Sequence, residues 1–281
     1  MTAAIFDKLF GQLDAFSKQI GMPVVIGEYG TLAIGTVEKH AKWIYTDSFV
    51  RAAHKYDIAT MVWDIGFDQL DRTNDVLLDP INTDILINAS KDIADSFVSQ
   101  DSLYLEDGKE LNDQTVSLEL NGNKLISIYD GTKKLKQGKD YTVSGSNLTI
   151  TKGYLSSLTQ DLGVGAHLRF RFNHGADQTL DLINYKKPVI ATVEYTIHKG
   201  AVNEDLAFRL RSTTNWMPNT PTGGLRGGIN FNDDFKSDSN NIYLTKDILN
   251  KLDDDTLFSF KFWPRDQEVS VDVIVHAEHS S

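Results

Sequence analysis

Two residues combine a reactive or stacking side chain with a telling position. Glu28 lies at the end of PVVIGEYG, residues 23–30, and Trp63 stands in IATMVWDIG, residues 58–66. Each sits at or near the C-terminal end of a short apolar, β-branched run that reads as a strand. A continuous apolar run suggests a strand buried on both faces, as in a parallel sheet, and barrel enzymes hold catalytic groups at the C-terminal ends of such strands. A carboxylate and an indole at adjacent strand ends suit sugar chemistry. The carboxylate attacks or stabilises an oxocarbenium-like carbon, and the indole stacks on the C–H face of a pyranose. The competing readings are structural: Glu28 as a charged residue capping a turn over Gly27–Gly30, and Trp63 as core packing.

Two further tryptophans, Trp216 in TTNWMPNTPTGGLRGG and Trp263 in FKFWPRD, stand within two residues of a proline. They belong to loops or strand ends, where they either grip a carbohydrate or plug the end of a core. Gly223 to Gly228 read as a flexible loop. Other chemistry finds no support. GxGxxG, GxSxG and HExxH are absent, and GTKKLKQGKD at 131–140 is a lysine-rich turn. Asp253–Asp255 read as a solvated turn, because a calcium cage needs more oxygens at set spacing. His276 and His279 read as surface residues near a frayed end. No metal and no cofactor is expected.

The elements that must position Glu28 and Trp63 lie in residues 1–98. Ile5, Leu9, Leu13, Phe16 and Ile20 recur at helical spacing and Gly21 follows as a stop. A second helix is expected from about Val37 to Tyr56, with Ala41, Ile44, Phe49, Ala52 and Ala53 available for an inner face. A third is expected from Asp79 to about Val98, with Pro80 in its first turn. Helices alternating with two strands imply a parallel pair, yet two strands make an incomplete sheet. From residue 99 the pattern changes to short alternating strands (VSLEL, KLISIYDG, YTVSG, NLTIT, LRFRF) split by Gly, Asn and Asp turns, as in a β-sandwich. A second all-β segment begins at about Val189, after Lys186-Lys187-Pro188.

The whole chain has 281 residues, no cysteine and a formal net charge of −11. That length suits two or three domains. The acidic balance argues against nucleic acid or an anionic membrane surface as partner. Without cysteine there are no disulfides and no thiolate chemistry. There is no run of 18 apolar residues, and the N-terminus lacks the pattern of a signal peptide.

PVVIGEYG followed by MVWDIGFDQLDR resembles the last two barrel strands of glycoside hydrolase family 5 endoglucanases. The resemblance implies that Glu28 is the catalytic nucleophile and that Trp63 lines the subsite of the attacked sugar. Ile65 departs from the family's WDNG. Residues 99–188 resemble the immunoglobulin-like X2 modules of cellulases, and residues 189–281 a family 46 carbohydrate-binding module. The fold implied is the C-terminal portion of a (β/α)8 TIM barrel over residues 1–98, followed by two all-β immunoglobulin-like sandwich modules. The function implied is part of a modular retaining endo-β-1,4-glucanase acting on cellulose, mixed-linkage glucan or xyloglucan, extracellular in the parent family. A retaining glycosidase needs a second carboxylic acid about 5–5.5 Å from its nucleophile. In the family that acid closes the fourth strand, outside the region this chain resembles. The chain alone is therefore expected to be an inactive C-terminal fragment, whose partners are β-glucan and the missing N-terminal part of the barrel. The alternative is a non-catalytic β-glucan-binding protein acting through its last module and Trp216 and Trp263.

Overall fold

A computed structural model describes residues 3–31, 39–66, 69–158, 161–186, 194–209, 218–223, 229–230, 232–237, 241–252, 255–262 and 269–278. Contacts divide the chain into two units. The first holds residues 1–103, 110–159 and 166–182; the second holds 104–109, 160–165 and 183–281.

The first unit opens with helix α1 (Ala3–Ile20), ended by Gly21 at φ +66°. Strand β1 (Val25–Tyr29), helix α2 (Lys39–Lys55) and strand β2 (Ala59–Val62) follow, and β1 pairs in parallel with β2. A short hairpin of β3 (Leu70–Asp71) and β4 (Val76–Leu77) leads to helix α3 (Pro80–Ser90). Of the apolar series that marks α1 in the sequence, only Leu13 packs on the core. Ile5 and Phe16 are each 52% exposed, whereas Phe6 and Phe10 are buried and meet Phe49 of α2 edge-on. Likewise β1 is not covered on both faces, since Val25 is 51% exposed in a sheet of two strands. Among the described residues no closed barrel forms.

Helix α3 is braced onto α2 by polar groups. The Trp43 indole N–H donates to both carboxylate oxygens of Asp79, which in turn accepts from the Asn82 amide and so caps α3. The expected continuation of this helix to Val98 does not occur. The Lys91 amide bonds back to the Asn88 and Ala89 carbonyls, and Asp92 turns to φ +56°, so the helix stops at Ser90.

Phe97–Val98 instead form strand β5, which pairs with β7. Then come β6 (Ser102–Glu106), β7 (Gln114–Glu119), β8 (Leu125–Asp130), β9 (Lys133–Lys134), β10 (Tyr141–Ser144), β11 (Asn147–Ile150), the single turn α4 (Lys152–Leu155), β12 (Gly163–Phe172) and β13 (Gln178–Tyr185). They make two sheets, ordered β10-β11-β7-β5 and β6-β13-β12-β8-β9. Period-2 alternation buries one row of each sheet: Val116, Leu118, Leu148 and Ile150 on the first, Ile128, Leu168, Phe170, Leu180 and Leu182 on the second.

A polar seam joins the helices to this sandwich within the first unit. Asp101 accepts from the Lys39 and His40 amides at the start of α2, and the His40 ring donates to the Val98 carbonyl. Asn121 and Asn123 donate to the carbonyls of Asp95 and Ala94. Asp95, only 1% exposed, accepts from the Ala176 amide at 2.6 Å and from the Asn88 carboxamide at 3.0 Å. Gly175 makes this approach feasible: its φ is +84°, and a Cβ there would lie 2.8 Å from Asp95 Oδ1 and 2.9 Å from the Ala94 carbonyl.

The second unit is all-β apart from one helical turn. Its strands are β14 (Glu194–His198), β15 (Leu206–Arg209), β16 (Pro218–Gly223), β17 (Phe235–Ser237), β18 (Asn241–Leu244), β19 (Thr256–Phe262) and β20 (Val269–Glu278), with α5 (Lys246–Leu249) after β18. The sheets run β14-β20-β19-β16 and β15-β18-β17, with β14 parallel to β20. Tyr185, Phe235, Phe258, Leu244, Leu249 and Val273 lie at the heart of its core. His276 lies at the surface but not at a frayed end: it sits in β20 and its Nδ1 contacts Asp255 at 2.8 Å, a partner 21 residues away that spacing does not reveal. The carboxylate beside it raises the affinity of the imidazole for its proton.

Candidate functional site at the β1 and β2 strand ends

The turn expected over Gly27–Gly30 is a strand end with a bulge. Val25 and Ile26 face Ala59 and Thr60, but Tyr29 faces Val62, so β1 spends three steps where β2 spends two. The extra residue lies at Gly27-Glu28. A bulge bends a strand and re-aims a side chain, and is common beside active sites. Tyr29 is anchored inward, stacked on Phe49 with ring centroids 4.3 Å apart, and Glu28, its neighbour, is exposed.

Trp63 is tied to the same place. Its amide donates to the Tyr29 carbonyl at 2.7 Å, extending the pairing one residue beyond β2. A Cβ on Gly30 would lie 3.6 Å from the Trp63 carbonyl. Trp63 is 44% exposed, so it is not packed in a core among the described residues. The structure thus brings Glu28 and Trp63 to the ends of adjacent parallel strands, one presenting a carboxylate and the other a flat apolar ring.

Asp64, the next residue, is held by its neighbours. Its Oδ1 accepts from the Gly66 amide at 2.9 Å and the Gln69 amide at 3.3 Å, and its Oδ2 meets Arg72 at 3.4 Å. This carboxylate shapes a turn and is committed there. Gly27, read from the sequence as part of a turn, lies in the bulge instead, as a glycine inside a strand pattern can signal. Trp216, Trp263 and residues 224–228 lie outside the described residues, whereas Gly223 ends β16. Among the described residues no group of three or more His, Asp or Glu could hold a metal ion, and no helix is long and apolar enough to cross a membrane.

Comparison with known proteins adds the following. Residues 98–182 match the family model of carbohydrate binding domain X2. Endoglucanase B of Paenibacillus lautus is 31% identical over 258 residues, covering 86% of this chain and 45% of its own. A xyloglucanase of a Paenibacillus species is 49% identical over 102 residues, or 36% of this chain and 9% of its own. A crystal structure of a tri-modular GH5 (subfamily 4) endo-β-1,4-glucanase from Bacillus licheniformis superposes on 98% of this chain and 56% of its own, with a TM-score of 0.78 and 34% identity. The chain therefore spans about half the length of the first two endoglucanases it matches, and the similarity is to the C-terminal part of the tri-modular enzymes.

Proposed function

We propose that the chain is the β-glucan-handling C-terminal region of a retaining endo-β-1,4-glucanase, with Glu28 as nucleophile and Trp63 as the stacking wall of the attacked sugar's subsite. The observation that carries this reading is the bulge at Gly27-Glu28 beside the Trp63–Tyr29 hydrogen bond, which sets a carboxylate and an open indole on neighbouring strand ends. In a retaining reaction Glu28 attacks the anomeric carbon, the glycosidic C–O bond breaks, and a protonated carboxyl gives its proton to the departing oxygen. Water then releases the sugar from Glu28. With Asp64 held by Gly66, Gln69 and Arg72, the proton donor in this reading comes from the remaining length of such an enzyme. The parallel β1–β2 pair is the closing portion of its barrel.

The match of residues 98–182 to a carbohydrate-binding domain favours a second role, retention on polysaccharide without chemistry. In this reading residues 189–281 are a family 46 module that grips glucan through Trp216 and Trp263, outside the cell. Mixing the chain with a fragment carrying the first six barrel strands of a tri-modular relative tests the catalytic claim. Hydrolysis of soluble β-glucan is expected only in the mixture, with Glu28→Gln lowering it by about 10³-fold or more. Hydrolysis by the chain alone that survives Glu28→Gln would refute the assignment.

A further inference from the structure

A groove of about 440 Å³ opens along the seam of the first unit, walled by α3 on one side and by the β12–β13 hairpin on the other. This volume falls in the range of about 300–1,000 Å³ usual for small-molecule sites. Ile81, Asp84 and Asn88 line it from α3 at positions i, i+3 and i+7, one face of the helix. Arg169 and Asp177 line it from the hairpin.

The groups of the groove are held in place. Arg169 is paired with Asp177 at 3.3 Å, and its guanidinium lies 5.3 Å from the Tyr129 ring centroid, its cross-strand neighbour. Asp177 also meets Arg171 at 3.7 Å. Asp95 fixes both walls at once, taking the Ala176 amide of the hairpin and the Asn88 carboxamide N–H of the helix. That bond leaves the Asn88 carboxamide oxygen as the acceptor available to a ligand.

The charges select the ligand class. Among the lining residues Arg169 is paired with Asp177, which leaves the exposed Asp84 as the lining charge with no ion pair among the described residues, so the groove disfavours an anion. Planar carboxylate, carboxamide and guanidinium groups pair with adjacent hydroxyls, while Ile81 offers apolar contact to C–H faces. We infer that this seam groove is a further binding site for a neutral β-linked gluco-oligosaccharide, distinct from the strand ends that hold Glu28 and Trp63. The inference rests on the β-glucan reading above.

Amide hydrogen exchange of the full chain with and without cellotetraose tests it. Slowed exchange is expected at residues 84–88 and 173–177, and Arg169→Ala and Asp84→Ala are each expected to weaken that protection, raising the half-saturating concentration at least about 5-fold. Protection confined to residues 26–30 and 61–66 overturns the inference and leaves the β-glucan reading standing. Absence of protection anywhere in the chain overturns both. Protection at the seam that survives both substitutions overturns the assignment of Arg169 and Asp84 to the site.

Discussion

Asp95 is the residue on which the seam depends most. One carboxylate oxygen carries two hydrogen bonds, while the other is buried with no hydrogen-bond partner. Burial pushes its proton affinity up, outweighing the Ala176 amide, the Asn88 carboxamide and the nearby Arg51, which favour the charged form; Asp47 on α2 opposes charge as well. The sign follows. A carboxyl whose pKa is higher folded than unfolded contributes stability that is fully present below the unfolded value, about 4, and is lost as pH rises through the folded value. Urea midpoints of the natural chain and of Asp95→Asn are therefore expected to converge at acidic pH and to separate in the variant's favour as pH rises past 4, because the variant has no charge to bury. Parallel curves would show that Asp95 does not titrate differently on folding.

Single residues were legible in the sequence where their type alone decided the matter. An exposed glutamate beside a glycine in a strand, and a tryptophan at the next strand's end, stood out. The bulge itself was not legible, since it is a mismatch between two strands 33–34 positions apart, and a local pattern shows only one of them.

At the scale of elements, helix periodicity located α1 but did not show which side is buried. Phe6 and Phe10 are buried while Ile5, Leu9, Phe16 and Ile20 remain 39–52% exposed, because α1 carries apolar residues on two sides and only α2 and the sheet decide which side is covered. The end of α3 was misplaced for a similar reason. Ile93, Phe97 and Val98 fit a helical run, but Val98 and Phe97 are claimed by pairing with Leu118 and Glu119 of β7. Strands with clean alternation, such as β11 and β12, were found, whereas β16, with two prolines and no alternation, and β17, only three residues long, were not. The close approach at the seam gives a prediction at this scale. Gly175→Ala places a methyl group 2.8–2.9 Å from Asp95 and Ala94 and forces an alanine to φ +84°. It is expected to cost about 2–3 kcal/mol, the left-handed backbone supplying about 1–2 of it. Thermal unfolding should show a midpoint lowered by several degrees, and an unchanged midpoint would mean that the hairpin does not press on residues 94–95.

The whole molecule joins a helical, two-strand parallel segment to a two-sheet sandwich in one unit, with a second all-β unit after it. Its matches to the tri-modular glucanases cover nearly all of this chain but only about half of theirs. This asymmetry accounts for the apolar side of α1 and the open face of β1 and β2 in our reading: both are surfaces against which the rest of a barrel packs. It also separates binding from chemistry, since a sugar stacks on Trp63 without needing a proton donor, whereas cleavage does need one. Migration of the chain in a native gel containing mixed-linkage β-glucan, beside Trp63→Ala and Glu28→Gln, shows whether Trp63 holds the sugar. The account predicts retardation of the natural chain, similar retardation of Glu28→Gln, and about 10-fold weaker apparent affinity for Trp63→Ala, or about 1.4 kcal/mol. Retardation of Trp63→Ala equal to that of the natural chain would contradict it.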